Sequence, residues 1–269
     1  MKNINNLKMF VEVDLEGVSG AVYGGYGLPK SKEAKRSELL MTLELNALVE
    51  GAREAGVRKF IVCESHPFNK DYLTGGIDIV NKTEEIQNCD MLAFIGQHAR
   101  AGVDKSVLSH TGSSRSVLDL KVNGVSFGEF GLMAAYAGHF GVPAVFISGD
   151  RAATDEAKAL VPNIATVSVS KGLGNHSAIC LSPIKAQKSI KEGIIRAIHN
   201  RGKMKPLAVK KPVTIEYVLK YPALADRFTL VPGVKKKNER TVVFTCKNFK
   251  EAHKIYLATS LALIWWDAK

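Results

Sequence analysis

Short apolar runs alternate along this chain with longer stretches of helical periodicity, and that alternation limits the fold more than any other feature. Met9-Phe10-Val11-Glu12-Val13 reads as a strand ending at Asp14. Residues 31–55 read as a long helix with Leu39, Leu40, Leu43, Ala47 and Leu48 on one face, stopped by Gly56. Residues 60–63, 91–95, 144–147 and 165–169 read as further buried strands, the third of these followed by Gly149-Asp150. Helical patterns cover 128–140, 152–160 and 183–200, the last with Ser182 as cap and Pro183 in its first turn. Asn123-Gly124 between apolar alternations marks a hairpin over 117–125. Strand-helix alternation of this kind predicts an α/β fold: a mostly parallel central sheet flanked by helices.

The pattern changes after Lys203-Met204-Lys205-Pro206. Residues 213–219 and 241–246 read as strands and 249–266 as a helix, an α+β arrangement. We therefore expect a catalytic α/β part at 1–203 and a smaller α+β lobe at 204–269. Charge divides along similar lines. The chain of 269 residues carries a formal +11. Residues 1–170 hold 17 basic and 20 acidic side chains, whereas 171–269 hold 20 and 6. A basic excess suggests nucleic acid. Here it is confined to the last third, with few aromatics between the lysines and no recognised motif, so nucleic-acid binding is the distant alternative.

An apolar content of 46% with 23% charged residues excludes disordered, collagen-like and coiled-coil chains. No run is long and apolar enough for a membrane span, and no signal peptide is expected. Cys63, Cys89, Cys180 and Cys246 are scattered without a CxxC pair, which fits reduced thiols and a cytoplasmic location.

The acids and histidines sit where such a fold would gather them. Asp14 and Glu16 follow the first strand, Glu64 and His66 the second, His98 the third, and Asp150 the fourth. Ligands bind at the carboxyl ends of the strands in open parallel sheets. Glu129 joins them from the start of a helix. Asp14-Leu15-Glu16 would place both carboxylates on one face if the backbone stays extended, and taken alone it is also compatible with a solvated acidic turn. Mixed carboxylate and imidazole ligands suit zinc, and also manganese or iron. One catalytic zinc needs about three protein ligands, so this many points to two metals. His110, in a glycine- and serine-containing loop, is a candidate general acid/base or oxyanion donor, or else a surface histidine. Gly20 to Gly27 follows a strand but lacks the spacing of a nucleotide-binding loop.

Taken in order, several segments resemble the D-aminopeptidases of the M55 metallopeptidase family. They are Val13-Asp14-Leu15-Glu16-Gly17-Val18-Ser19-Gly20, Glu64-Ser65-His66, Gly96-Gln97-His98-Ala99-Arg100-Ala101, Leu108-Ser109-His110, Gly128-Glu129-Phe130-Gly131-Leu132, Gly149-Asp150-Arg151-Ala152 and Cys180-Leu181-Ser182-Pro183. The resemblance implies two Zn²⁺ per chain, held by Asp14, which serves both, and by Glu16, His66, His98 and Glu129. It implies His110 as the catalytic histidine. It also implies a ring-forming homo-oligomer, a decamer being one candidate size. The expected activity is hydrolysis of the N-terminal peptide or amide bond of short peptides or aminoacyl amides by a metal-activated hydroxide, with D-amino acid preference. The alternative is a dinuclear amidohydrolase acting on L-peptides or non-peptide amides. Two departures bear on the pattern: Glu64 stands where the family often has Asp, and the loops at 24–30 and 102–104 differ.

Overall fold

The computed structural model describes residues 6–22, 31–67 and 69–267, with side chains except that of residue 265. The polar start before residue 6 and the 24–30 loop lie outside the described residues. In chain order the elements are β1 (Lys8–Val13), α1 (Lys32–Glu54), β2 (Lys59–Glu64), β3 (Asp78–Val80), β4 (Met91–Gln97), β5 (Val117–Val122), β6 (Val125–Ser126), α2 (Glu129–His139), β7 (Ala144–Asp150) and α3 (Arg151–Leu160). They continue with β8 (Ala165–Gly174), β9 (Ser177–Cys180), α4 (Pro183–His199), β10 (Val213–Leu219), α5 (Pro222–Phe228), β11 (Lys235–Asn238), β12 (Thr241–Cys246) and α6 (Phe249–Asp267).

Seven strands form the central sheet in the order β3-β2-β1-β4-β7-β8-β9. All neighbours are parallel except β8 and β9. Alternation along each strand feeds two cores. Met9, Val11 and Val13 of β1 pack with Met41, Leu45 and Leu48 of α1 and Ile190 and Ile194 of α4. Phe10 faces the other way, into a core with Phe94, Phe130, Tyr217 and Phe244. That second core lies under the other sheet, whose order is β11-β12-β10-β5-β6. The α/β expectation therefore holds, with a second, antiparallel sheet beside the main one. The hairpin β5-β6 belongs to this second sheet, so the smaller sheet takes two strands from before residue 203.

Local signals explain most boundaries. The Ser31 hydroxyl accepts the Ala34 N–H at 3.0 Å and caps α1, and Gly56 takes φ +101° just past its end. Asn123 and Gly124 both have positive φ, as the turn between β5 and β6 requires. β4 runs past the expected 91–95 to Gln97 through a register irregularity. Ser182 is the cap residue of α4, as expected, without a side-chain capping hydrogen bond. Residues 172–177 span the turn of the β8–β9 hairpin.

Candidate metal centre

The centre forms where β1 and β4 lie side by side and end together. Beyond β1 the Asp14 N–H donates to Ile95 O at 2.8 Å, and the Gly17 N–H to Gly96 O at 2.7 Å. The two backbones press together so closely that a Cβ on Gly17 would lie 2.0 Å from Gln97 O, and one on Gly96 2.0 Å from Asp14 O. Gly96 also sits at φ +70°, a conformation only glycine adopts freely. Side chains are excluded here so that Asp14 and His98 can meet.

Around this crossing the predicted residues form a chain of contacts. Asp14 Oδ1 is 3.3 Å from His66 Nε2, and Asp14 Oδ2 is 3.3 Å from His98 Nε2. Glu16 Oε2 is 3.4 Å from His66 Nε2. Glu129 Oε2 is 3.7 Å from His98, and its Oε1 is 3.7 Å from His110 Nε2. The rings of His98 and His110 stack at 4.0 Å. Asp14 and Glu16 reach the site through a turn rather than an extended strand. All six predicted residues thus come together. Glu64 does not join them, and its carboxylate pairs with Lys70 at 3.6 Å. Asp150 also stands apart. It is fully buried and accepts hydrogen bonds from Ser106 Oγ, Val107 N–H and Gly172 N–H. That makes it an anchor for the loop that carries His110.

The electrostatics are those of negative groups crowded out of water. Burial, with Glu16 beside it, pushes the Asp14 carboxyl up to about 7. Burial opposes the charge on His66, but Asp14 and Glu16 prevail and hold its imidazole up at about 11. Burial likewise opposes ionisation of Glu129, but His98 and His110 prevail and hold its carboxyl low. Two observations favour a cation as the missing partner. His98 Nδ1 lies 2.9 Å from Ala99 O, an oxygen that can only accept, so Nδ1 is a donor and Nε2 is turned toward the carboxylates of Asp14 and Glu129. That Nε2 is buried without a hydrogen-bond partner, as is Glu16 Oε2. His110 is oriented the same way, its Nδ1 2.8 Å from Leu108 O. A backbone carbonyl holding one nitrogen while the other faces inward is how metal-binding histidines are set. The ligand atoms of Asp14, Glu16 and His98, and those of His98, His110 and Glu129, each lie within 4.8 Å of one another. The donors fit a mixed carboxylate-imidazole centre.

A cavity of about 220 Å³ opens beside these groups. Glu12, Asp14 and Glu129 line it together with the apolar Leu132, Met133, Tyr256 and Leu257. Sequence reasoning missed Glu12, although it lies two residues before Asp14 on a strand and so shares its face. It also missed Glu156 on α3, whose carboxylate accepts the Arg100 and Gly128 N–H groups at 3.0 Å each and ties the His98 segment to the start of α2. His253 is buried, bonds Thr83 Oγ1 at 3.2 Å and lines the same cavity.

The chain is similar to known proteins over nearly its whole length. The model of the M55 peptidase family, described as D-aminopeptidase, matches residues 7–258. A D-aminopeptidase of Bacillus subtilis (strain 168) is 30% identical over 271 residues, covering 96% of this chain and 98% of that one. A solved structure, the Zn-dependent D-aminopeptidase DppA from Bacillus subtilis, described as a self-compartmentalizing protease, superposes with a TM-score of 0.88. It is 28% identical and covers 94% of this chain and 97% of its own. With the family model spanning nearly the whole chain and the predicted residues gathered at one strand crossing, this protein belongs to the M55 family of D-aminopeptidases.

Proposed function

We propose that this chain is a zinc-dependent aminopeptidase that hydrolyses the first peptide or amide bond of short peptides, with preference for a D-residue at that position. The observation that carries this is Asp14, whose two oxygens each face a different imidazole at 3.3 Å. A carboxylate so placed is suited to serve two metals, one with Glu16 and His66, the other with His98 and Glu129. Bound zinc would supply Lewis acidity, bringing a water's pKa to ~7 and polarising the scissile carbonyl. The protein's part is placement. Glu129, held by the Gly112 N–H at 2.7 Å, fixes His98 and His110 relative to each other. His110, with Nδ1 tied to Leu108 O, directs Nε2 into the site, where the neutral ring can accept a proton and the imidazolium so formed can donate to the developing oxyanion or pass the proton to the leaving amine.

The D-preference rests on the family and on the names of the relatives. We further propose two zinc ions per chain, a homo-oligomeric ring such as a decamer, and a cytoplasmic location. The ring is supported by the description of DppA as self-compartmentalizing. The location is supported by four free cysteines. Among the described residues, no helix is long and apolar enough to cross a membrane. Metal analysis of the purified protein tests the centre: about two zinc ions per chain, with loss on Asp14→Ala, is expected, and a metal-free protein under zinc-replete conditions overturns it. A panel of D- and L-aminoacyl amides tests the handedness. Faster turnover of the L-series would favour the L-peptide alternative.

A further inference from the structure

The segment that carries His110 is anchored upstream by Asp150, through Ser106 and Val107. Its downstream end meets a carboxylate 154 positions further along the chain, in the last turn of α6. Ser113 Oγ donates to Asp267 Oδ2, and Ser116 Oγ donates to Asp267 Oδ1 at 2.6 Å. Arg115 Nη1 donates to the backbone oxygen of Asp267 at 2.8 Å. Ser113 Oγ in turn accepts the Arg115 and Ser116 N–H groups at 3.2 and 3.1 Å, so one carboxylate orders a whole turn. Both serines are buried, and a buried hydroxyl needs an acceptor for its hydrogen. Trp266, the preceding residue, fixes this end of α6, its ring 5.2 Å from the Arg227 guanidinium and 5.9 Å from the Tyr221 ring.

The ordered turn directly follows the residues of the proposed chemistry. The Gly112 N–H, one residue before Ser113, donates to Glu129 Oε1 at 2.7 Å, and that oxygen is 3.7 Å from His110 Nε2. Gly112 sits at φ +72° and has no side chain of its own to pack, so its N–H is placed by what holds its neighbours. α6 runs alongside, with Tyr256 Oη and Leu263 Cδ1 each 3.9 Å from where a Cβ on Gly112 would stand. We propose that Asp267 is a positioning residue for the hydrolysis. By ordering the turn at 113–116 it sets the Gly112 N–H on Glu129 and keeps the His110 ring stacked on His98. The inference rests on the proposed function, because Asp267 acts on the reaction only through His110 and Glu129. A staple that merely fastens α6 is the contrary reading, and the two differ in what they do to kcat.

Asp267→Asn keeps the shape of the side chain but puts an NH₂ where one of the two hydroxyls needs an acceptor. Hydrogen exchange of the zinc-loaded full chain, read by mass spectrometry, follows the loop without turnover. Peptides covering 109–116 should exchange about tenfold faster in the variant, while those of β1, β4 and α1 exchange as before. Kinetics with alaninamide, in whichever hand turns over, should show kcat about tenfold lower, with KM within about twofold and zinc content equal. Ser113→Ala breaks the same contact from the other side and replaces the Asp267 variant if that one fails to fold. The two substitutions together should cost kcat little more than either alone, because they remove one interaction. A lowered Tm with kcat unchanged well below it identifies a mere staple and overturns the proposal. Unchanged exchange at 109–116, or losses in kcat that add in the double variant, overturns it too. Exchange at 109–116 that depends on Asp267, in a protein that hydrolyses no aminoacyl amide, overturns the aminopeptidase reading and supports the ordering of the loop by Asp267.

Discussion

Two buried side chains show how environment decides what a residue type does. Glu44, inside α1, is 2% exposed and accepts only the Ser19 N–H, at 2.9 Å. Burial pushes its carboxyl up to about 8 from an ordinary value of 4.5. The unfolded chain therefore releases this proton at lower pH than the folded one. Stability is full below about 4.5 and is lost as pH rises through 8. Glu44→Gln should accordingly gain over the unaltered protein between pH 6 and pH 9, by about 5 °C in Tm at the upper end. A Tm difference that does not change with pH would show that Glu44 stays ionised. His110 is governed by direction rather than burial. His110→Ala should lower kcat by about 10²–10³ while zinc content holds, and joint loss of zinc would make it a ligand. The metal centre was legible at this scale because its residues follow strand ends, and their types are unusual there. The place of Glu12 in the cavity lining was not legible, because a single charged residue inside an apolar strand carries no signal of what its side chain will face.

Among the elements, length and environment set what could be read. β1, β4 and β7 are long and buried and announce themselves as apolar runs. β11 is Lys235-Lys236-Lys237-Asn238, wholly exposed, and has no alternation to detect. It is an edge strand, and its lysines do what charges on edges do, which is to discourage pairing with another chain. Lys236 pairs with Asp226 and Lys237 with Glu216, at 2.6 and 2.7 Å, so part of the basic run is neutralised by its own neighbours. The short helix α5 and the strand β9 likewise owe their state to tertiary neighbours. The loop between β4 and β5 shows how an element without regular structure is held. Leu108 is kept at φ +50°, a costly state for a branched side chain, and Asp150 holds the loop there through Ser106 and Val107 while its third bond, from Gly172, ties it to β8. Asp150→Ala should therefore cost about 3 kcal/mol of stability and lower kcat about tenfold with smaller change in KM. Denaturant unfolding and steady-state kinetics check both, and unchanged kcat would show that the loop holds His110 without this anchor.

For the molecule as a whole, the centre is placed by two backbones in contact and not by the ions. Stripping zinc with a chelator should leave the far-UV circular dichroism intact while Tm falls by about 5–15 °C. Collapse of the spectrum would mean that the ions organise the crossing. One topological fact has a consequence in time. β5 is made before residue 123, yet its partner β10 begins at Val213. The loop bearing His110 ends at β5, whose downstream end is held by its hairpin partner β6 and by β10, a strand synthesised some ninety residues later. A nascent chain can pair the parallel strands, and with them bring Asp14, His66 and His98 together, before β10 is made. The second sheet closes behind the loop of His110 afterwards, so the two sheets are completed in the order of synthesis.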